Sequence, residues 1–364
     1  MSRKLQYDTW LFGTATLIVV VGLVMIYSAS AMIATQRWGH GSYFFLTRQL
    51  AFLGAGSLAM LFLMHVNPAM LRNRRVVTSA LAFVAFLLIV ALFQSPINGT
   101  HRWIHLPGFQ LQPSEFAKPA LVLFIASFLA RREERINDLT TTLLPLGFVL
   151  ALIAGLVLLG RDFGTASTLI LVACGMIYAA GISMRYIALI GCALVPLGGY
   201  FALSAAYRRE RLLTFLNPEA DPLGKGFQAM QSLIAIGTGG FHGLGIGNGR
   251  QKLFFLPEPH TDFIFSIVGE ELGFIGAVLL LSAFALLAWR GFLVARYSQD
   301  RFAFFAAVGC TLMIAIQALI NVSVTLCLLP TKGLPLPLVS YGGSSLIVSL
   351  MAVGLLLNFS QQSG

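Results

Sequence analysis

The sequence predicts an all-α membrane protein, a bundle of ten transmembrane helices. Its mean hydropathy is +0.82, and 57% of its 364 residues are hydrophobic while only 10% are charged. Runs of about 18 or more apolar residues recur along the chain, and each can cross a hydrocarbon layer about 30 Å thick. Spanning segments must satisfy their own backbone groups, and these continuous runs lack the alternation of a β-barrel. Helices are therefore the expected spanning element.

The predicted spans follow one another in a single domain of residues 1–364. The first follows a short basic start and is too long for the apolar part of a signal peptide, so we expect an uncleaved helix. A large loop, 207–261, separates the seventh span from the eighth, and "GFQAMQSLIAI" within it resembles an amphipathic helix at a membrane interface. The ten spans lie near residues 10–31, 49–66, 76–94, 114–130, 141–159, 163–181, 186–206, 262–289, 302–329 and 340–359.

Charge orients the spans. The net charge of +10 indicates lipid headgroups and topology signals, and no basic stripe with interleaved aromatic residues supports nucleic-acid binding. One set of short loops and termini carries twelve Lys and Arg residues, and the other set carries five. The positive-inside rule then places both termini in the cytoplasm. Three loops lie outside: 95–113, 207–261 and 330–339.

The first outer loop leads into a span with ionisable residues. Pro113-Ser114-Glu115 predicts a helix start, with Ser114 as the cap and Glu115 in the first turn. Lys118 lies three residues further on the same face, so Glu115 is its expected partner. An ionisable residue within a span indicates function, although a structural ion pair of a snorkelling lysine is the alternative. Arg102 in the same loop favours function.

Three further outer segments carry candidate residues. Asp162 in "GRDFGTAS" either caps the next helix or forms a wall of a site. The glycine-rich stretch "GTGGFHGLGIGNGRQK" lacks the phosphate-binding GxxxxGK[ST] pattern and suits tight turns or close backbone approach. Arg250 and Lys252 at its end could contact phosphate. In "LLPTKGLPLPLVSYGGSS", Lys332 and Ser340 lie at the entry of the last span, as site residues or as parts of a rigid loop.

The stretch "LPEPHTDFIF" gathers Glu258, His260 and Asp262 at the start of an apolar span. The three residues could be metal ligands, a general base or a helix cap. Eight helical steps would place Glu270 about 80° round from Asp262. Carboxylates at membrane depth are costly unless they pair or line a polar cavity. We therefore expect a polar cavity at Glu270 and Glu271, entered from the outside through this cluster.

Six stretches together resemble the SEDS family (shape, elongation, division and sporulation), nearly end to end and in family order. They are "MIYSAS", "NGTHRWI", "QPSEFAKPALVLF", "DFGTA", "FLPEPHTDFIFSIVGEELGF" and "PLPLVSYGGSS". "LPTKG" and "EPHTDFIF" are more similar to the cell-division branch than to the elongation branch. The sequence departs from the family pattern at Arg161, where a proline is expected.

The resemblance implies a peptidoglycan glycosyltransferase of the bacterial cytoplasmic (inner) membrane that acts at the division septum. Such proteins polymerise lipid II, a disaccharide pentapeptide on undecaprenyl pyrophosphate, outside the membrane. Their partners are a class B penicillin-binding protein and other divisome proteins. The essential aspartate of the family matches Asp262, its functional glutamate and lysine match Glu115 and Lys118, and its aspartate after the fifth helix matches Asp162.

The residues fit this chemistry. Sugar transfer from a lipid pyrophosphate needs a base for the acceptor hydroxyl and positive charge for the leaving group. We expect Asp262 to be the base, and Lys118 and Arg102 to hold the pyrophosphate with Glu115 orienting Lys118. A divalent cation, Mg²⁺ or Mn²⁺, is the only cofactor that the resemblance leaves open. Further expected substrate contacts are Asp162, Glu258, His260, Lys332 and Ser340, of which Glu258 and His260 could instead tune Asp262, bind a metal or shape the turn.

Two other functions are compatible with the pattern. A lipid II flippase could use Lys118, Glu270 and Glu271 along a path through the membrane. It needs a polar cavity reachable from both faces, whereas a polymerase needs one open to the outside. The unusual polar residues are concentrated in outer loops, which favours the enzyme. A scaffold that only recruits division proteins would tolerate replacement of Lys118 and Asp262.

Overall fold

The computed structural model describes most of the chain outside residues 184–225. The described residues are 7–36, 38–39, 41–97, 99–107, 109–183, 226–253, 255–257, 259–330 and 333–361, with isolated positions between 185 and 199. The predicted seventh span, 186–206, and the first part of the predicted loop 207–261 lie largely outside them.

Helices dominate the described chain, which confirms the predicted class. Among the described residues, eight helices are long and apolar enough to cross a membrane, and Phe163–Ala179 is a shorter apolar helix at the sixth predicted span. The predicted helix within the loop 207–261 is present at Phe227–Gly239. The helices are α1 Thr9–Gln36, α2 Phe44–His65, α3 Pro68–Arg72, α4 Arg74–Leu92, α5 Pro113–Ala130, α6 Leu144–Leu159, α7 Phe163–Ala179, α8 Phe227–Gly239, α9 Ile264–Tyr297, α10 Arg301–Thr325 and α11 Gly343–Ser360. A π-helical turn, Leu139–Leu143, leads directly into α6.

The outer loop before α5 contains a small hairpin that the sequence analysis did not predict. Strands β1 Ile104–Leu106 and β2 Phe109–Leu111 pair antiparallel, with Ile104 opposite Leu111. Three-residue strands carry too little alternation to stand out in a sequence. The hairpin precedes α5, so it fixes the path of the chain between Arg102 and Glu115.

The centre of the bundle is formed by α5, α10 and α11, whose residues are mostly buried. Close packing against α11 depends on small residues. A Cβ at Gly354 would lie only 2.6 Å from the backbone oxygen of Met60 in α2, and one at Gly56 would lie 2.6 Å from Leu350 Cδ1. Without a hydrophobic force between helices in lipid, such close backbone approach is a main source of association.

The loops sort to two ends of the bundle as the charge pattern predicts. At one end, Arg290 pairs with Asp8 at 2.5 Å and Arg72 pairs with Asp300 at 3.3 Å. The backbone N–H of Asp8 also donates to Ser360 Oγ, so the chain near both termini meets at this end. These are the segments assigned to the cytoplasm by their basic residues, and the candidate site residues lie at the opposite end.

Helix α9 is broken at Gly273, whose φ of 68° and ψ of −167° are not helical. In an unbroken helix the N–H of Phe274 would donate to Glu270 O. Instead it donates to Gly240 O at 2.8 Å, and Glu270 O accepts from the N–H of Leu244 at 3.0 Å. The glycine-rich loop after α8 therefore supplies the hydrogen bonds that the helix loses. The same exchange occurs one residue further along. The N–H of Ile275 donates to Phe241 O, and Glu271 O accepts from the N–H of Gly245.

Candidate active site

Asp262 lies in the turn before α9. Its backbone oxygen accepts a hydrogen bond from Asn321 Nδ2 at 2.8 Å, and the oxygen of the preceding Thr261 accepts one from Ser340 Oγ at 2.6 Å. Because α9 begins at Ile264, Asp262 is not part of the helix. The predicted angular relation between Asp262 and Glu270 is therefore wrong, while the place of Asp262 on the outer face stays a prediction.

Arg102 lies beside the Asp262 carboxylate. A Cβ at Gly333 would be 3.1 Å from Asp262 Oδ2 and 3.7 Å from Arg102 Nη2, so both groups flank the same point. Arg102 Nη1 is also 3.9 Å from Asp162 Oδ1, and the Arg102 side chain keeps 26% of its surface exposed. Its Nε is buried and has no hydrogen-bond partner among the described residues. Arg102 therefore joins the predicted carboxylates, and part of its guanidinium stays exposed.

Asp162 caps α7, as the sequence predicted. Its Oδ1 accepts the N–H of Thr165 at 3.2 Å, and its Oδ2 accepts from Ser114 Oγ at 2.7 Å and Gln112 Nε2 at 2.9 Å. The prediction that Ser114 caps α5 is wrong, because Gln112 holds that position and Ser114 bonds to Asp162 instead. Asp162 thus links the start of α7 to the start of α5.

Glu115 and Lys118 form a buried ion pair. Lys118 Nζ donates to Glu115 Oε2 at 2.7 Å and to Gln317 Oε1 at 2.5 Å. Both charged residues are at most 2% exposed. Pro119 has no N–H for the Glu115 carbonyl, which loosens the helix at this pair. An ammonium has three N–H donors, and Glu115 and Gln317 take two of them.

His260 and Ser340 both have structural contacts beside the site. The centroid of the His260 ring lies 4.5 Å from the ring centroid of Phe45 and 5.6 Å from that of Tyr341. Burial lowers the pKa of His260 to about 4, so the imidazole is neutral at pH 7 and supplies no positive charge. Ser340 Oγ donates to Thr261 O and accepts from the N–H of Leu336 at 2.7 Å. Substrate contacts by His260 and Ser340 stay predictions.

Two predicted site residues, Glu258 and Lys332, lie outside the described residues. Among the residues that the structure describes, no group of three or more His, Cys, Asp or Glu side chains could hold a metal ion. Arg102 lies 3.9 Å from Asp162 and flanks the same point as Asp262, so a cation already serves the two carboxylates. The divalent cation that the resemblance left open stays a prediction.

Glu270 and Glu271 do not line a polar cavity, so that prediction is wrong. Glu271 accepts from Lys252 Nζ at 2.6 Å and from Ser28 Oγ at 2.7 Å. Glu270 Oε1 accepts the N–H groups of Arg250 at 2.6 Å and Gln251 at 3.0 Å. Both carboxylates are buried and bonded by the glycine-rich loop. The expected phosphate contact of Lys252 is wrong too, because the ammonium is buried against Glu271.

Sequence reasoning missed two residues of the site, Gln317 and Asn321. Both are side-chain amides of α10, one helical turn apart and nearly fully buried. A signal existed, since polar residues four positions apart inside an apolar span indicate a polar contact made on one face. Gln317 reaches Lys118, and Asn321 reaches the backbone of Asp262.

Comparisons with known proteins agree with the resemblance. The family model described as "Cell cycle protein" (FtsW, RodA and SpoVE) matches residues 8–364. A Trichlorobacter lovleyi protein named "Probable peptidoglycan glycosyltransferase FtsW" is 43% identical over 98% of this chain and 94% of its own length. The Bacillus subtilis "Stage V sporulation protein E" is 42% identical over 100% of this chain and 99% of its own length.

Solved structures share the fold. A chain from "Structural coordination of polymerization and crosslinking by a peptidoglycan synthase complex" matches with a TM-score of 0.80 and 29% identity over 98% of each chain. The crystal structure of Thermus thermophilus rod shape determining protein RodA matches with a TM-score of 0.72 and 29% identity, over 98% of this chain and 97% of that one. This chain is an integral membrane protein and belongs to the FtsW/RodA/SpoVE family, the SEDS family that its motifs resemble.

Proposed function

We propose that this chain is a peptidoglycan glycosyltransferase that polymerises lipid II at the outer face of the bacterial cytoplasmic membrane during cell division. The observation that carries the proposal is the approach of the Asp262 carboxylate and the Arg102 guanidinium to one point beside Gly333. A base and a cation at one reachable point are what glycosyl transfer from a pyrophosphate requires. The name of a relative supports the substrate class, and the family description "Cell cycle protein" supports the division role.

In the proposed reaction, Asp262 is the general base. The hydroxyl of the acceptor sugar attacks the anomeric carbon of the donor, and its proton passes to the Asp262 carboxylate. The bond between that carbon and the pyrophosphate oxygen breaks, and the pyrophosphate leaves with the electron pair. Ser340 and Asn321 hold the two backbone carbonyls on either side of the Asp262 Cα, those of Thr261 and Asp262, so the carboxylate projects from a fixed turn.

The pyrophosphate would be held by Lys118 and Arg102. Lys118 has one N–H left after its bonds to Glu115 and Gln317, and the Nε–H of Arg102 has no partner among the described residues. Charge-assisted hydrogen bonds of this kind are the strong ones. A narrow apolar crevice begins at Lys118 between α5 and α7, and it would have to widen to admit an isoprenoid chain attached to the pyrophosphate. Leu121, Val122, Ile125, Leu169, Val172 and Ala173 line the rest of it.

A class B penicillin-binding protein is the proposed partner, and the division septum the proposed location. The similar solved structure comes from a complex described as coordinating polymerization and crosslinking. A polymerase whose product is crosslinked next needs the second enzyme on the same outer face. The placement of the candidate site opposite the basic loops supports that arrangement.

Two of the three residues of the flippase path, Glu270 and Glu271, are bonded within the protein, which weakens that alternative. It required polar groups free to meet a headgroup along the bundle. Glu270 is bonded to the N–H groups of Arg250 and Gln251, and Glu271 to Lys252. These carboxylates thus serve the protein's own loop, and the polymerase is the function that the described geometry favours.

Polymerisation of lipid II by the purified protein with its penicillin-binding partner tests the proposal, with glycan strands resolved by gel electrophoresis. Asp262→Asn should lower the rate at least about 100-fold, because proton transfer to a positioned base contributes about that much. Asp300→Asn, at the opposite end, is the matched control and should keep full activity. Full activity of Asp262→Asn would refute the assignment, and lipid II translocation into vesicles without polymer would favour the flippase.

A further inference from the structure

Two amides on α10 connect the proposed base to the proposed pyrophosphate cation. Gln317 and Asn321 are four residues apart, so their side chains share one face of the helix. Gln317 Oε1 accepts from Lys118 Nζ at 2.5 Å. Asn321 Nδ2 donates to the backbone oxygen of Asp262 at 2.8 Å. A single buried turn of helix therefore contacts both chemical groups.

The same amides also bind adjacent carbonyls of the last outer loop. Gln317 Nε2 donates to Pro335 O at 2.9 Å, and Asn321 Nδ2 donates to Leu334 O at 2.7 Å. The loop segment 334–335 precedes the turn in which Ser340 bonds to Thr261 O. The loop is thus attached on one side to α10 and on the other to the turn that carries the base.

Chemistry fixes the orientation of both amides. Asn321 faces two carbonyl oxygens, which only its NH₂ group can satisfy. Gln317 faces a carbonyl on one side and an ammonium on the other, so its nitrogen must point to Pro335 and its oxygen to Lys118. Both side chains are at most 2% exposed, so water cannot easily replace a lost partner. Each amide therefore has one orientation that satisfies its neighbours.

We propose that Gln317 and Asn321 are positioning residues of the polymerisation reaction, which set the location of Lys118 relative to Asp262. The inference rests on the proposed function and adds two residues to it. Asn321 acts through the backbone of Asp262, so its loss moves the base and lowers kcat. Gln317 acts through Lys118, so its loss weakens the hold on the donor pyrophosphate and raises KM for lipid II.

The test compares three near-isosteric variants in the complex with the penicillin-binding partner. Asn321→Leu should lower kcat at least about 10-fold with little change in KM, because displacement of a reacting group by about 1 Å can cost 100-fold. Gln317→Met should raise KM for lipid II at least about 5-fold, a loss of about one hydrogen bond to a charged group. Gln317→Glu keeps an acceptor for Lys118 but loses the donor to Pro335, so it should retain a KM closer to wild type.

The matched control is Asn358→Leu. Asn358 is also a buried amide that donates to backbone carbonyls, those of Leu63, Met64 and Val66. It lies at the opposite end of the bundle, so its replacement should lower thermal stability as much as Asn321→Leu does and leave kcat and KM per folded molecule unchanged. The control separates loss of stability from loss of positioning.

Failure of the positioning role and failure of the proposed function give different results. If Asn321→Leu and Gln317→Met behave like Asn358→Leu while Asp262→Asn is inactive, the positioning role is refuted and the proposed function stands. If the wild type makes no polymer, or Asp262→Asn is fully active, the proposed function itself fails. The opposite split, with KM altered by Asn321→Leu and kcat by Gln317→Met, would also overturn the assignment of the two residues.

Discussion

Replacement of Lys252 by methionine should destabilise the protein strongly, although Lys252 lies outside the proposed active site. Its ammonium donates to Glu271 Oε1 at 2.6 Å, to Gly247 O at 2.8 Å and to Ser28 Oγ at 2.9 Å. These bonds join the glycine-rich loop to α1 and to the last turn of α9 before its break. Methionine has a similar length but no charge and no donor.

The size of the effect follows from the burial of the pair. The side chains of Lys252 and Glu271 are 5% and 0% exposed. Removal of one member of such a pair costs about 3–5 kcal/mol, because the other charge stays buried without a counter-ion. Removal of both charges is much less costly, so the double variant Lys252→Met, Glu271→Met should recover at least about 2 kcal/mol of the loss.

Unfolding of the detergent-solubilised protein in increasing SDS, followed by tryptophan fluorescence, measures these differences in free energy of unfolding. Arg72→Met is the matched control. Arg72 pairs with Asp300 at 3.3 Å, but the two side chains are 63% and 39% exposed, so the loss should be at most about 1 kcal/mol. A loss below about 1 kcal/mol for Lys252→Met, or a double variant less stable than the single one, would refute the reasoning.

Three further predictions use the same unfolding measurement. Gly249→Ala should cost about 1–3 kcal/mol, because its Cβ would lie 2.8 Å from Glu270 Oε2; the control Gly237→Ala has nothing within 4 Å of its Cβ and should not destabilise. The wild type should lose stability as the pH falls from about 6.5 towards 4, because the unfolded chain protonates His260 while burial keeps its pKa at about 4 in the folded state. His260→Phe should lose less stability than the wild type between pH 7 and pH 5. An equal loss would contradict the attribution of this pH dependence to His260. Arg161→Pro should cost more than about 1 kcal/mol, because the φ of 62° at Arg161 excludes proline, whereas Arg161→Gly fits this backbone; a stable proline variant would show that the turn can rearrange.

Much of the helical framework could be predicted from the sequence. Continuous apolar runs place nine of the described helices, because lipid allows a spanning backbone few alternatives, although α9 continues eight residues beyond the predicted end. α9 begins two residues and α11 three residues after the predicted start, because non-helical turns occupy those positions. The hairpin before α5 was missed because each strand has only three residues.

The sequence predicted which residues belong to the candidate site better than it predicted the contacts that those residues make. Arg102, Asp162 and Asp262 meet at one end, as their loops indicated. Glu270 and Glu271 were misinterpreted because a sequence shows a carboxylate in an apolar run but not the backbone N–H groups that reach it from a distant loop. The same limit applies to the prediction of the side-chain partners of Lys118. Glu115 is close to Lys118 in sequence and was predicted, whereas Gln317 is distant in sequence and was not.

The broken turn of α9 has a consequence for how this region can vary. Its two missing helical bonds are replaced by four bonds between backbone atoms, and residues 240–245 take part through N–H and C=O groups that nearly every amino acid carries. Side chains at Phe241, His242 and Leu244 can change, provided that Gly240, Gly243, Gly245 and Gly273, which all have positive φ, stay glycine. A single inserted or deleted residue would instead shift every donor past its acceptor. The segment should therefore tolerate substitution while its length stays fixed.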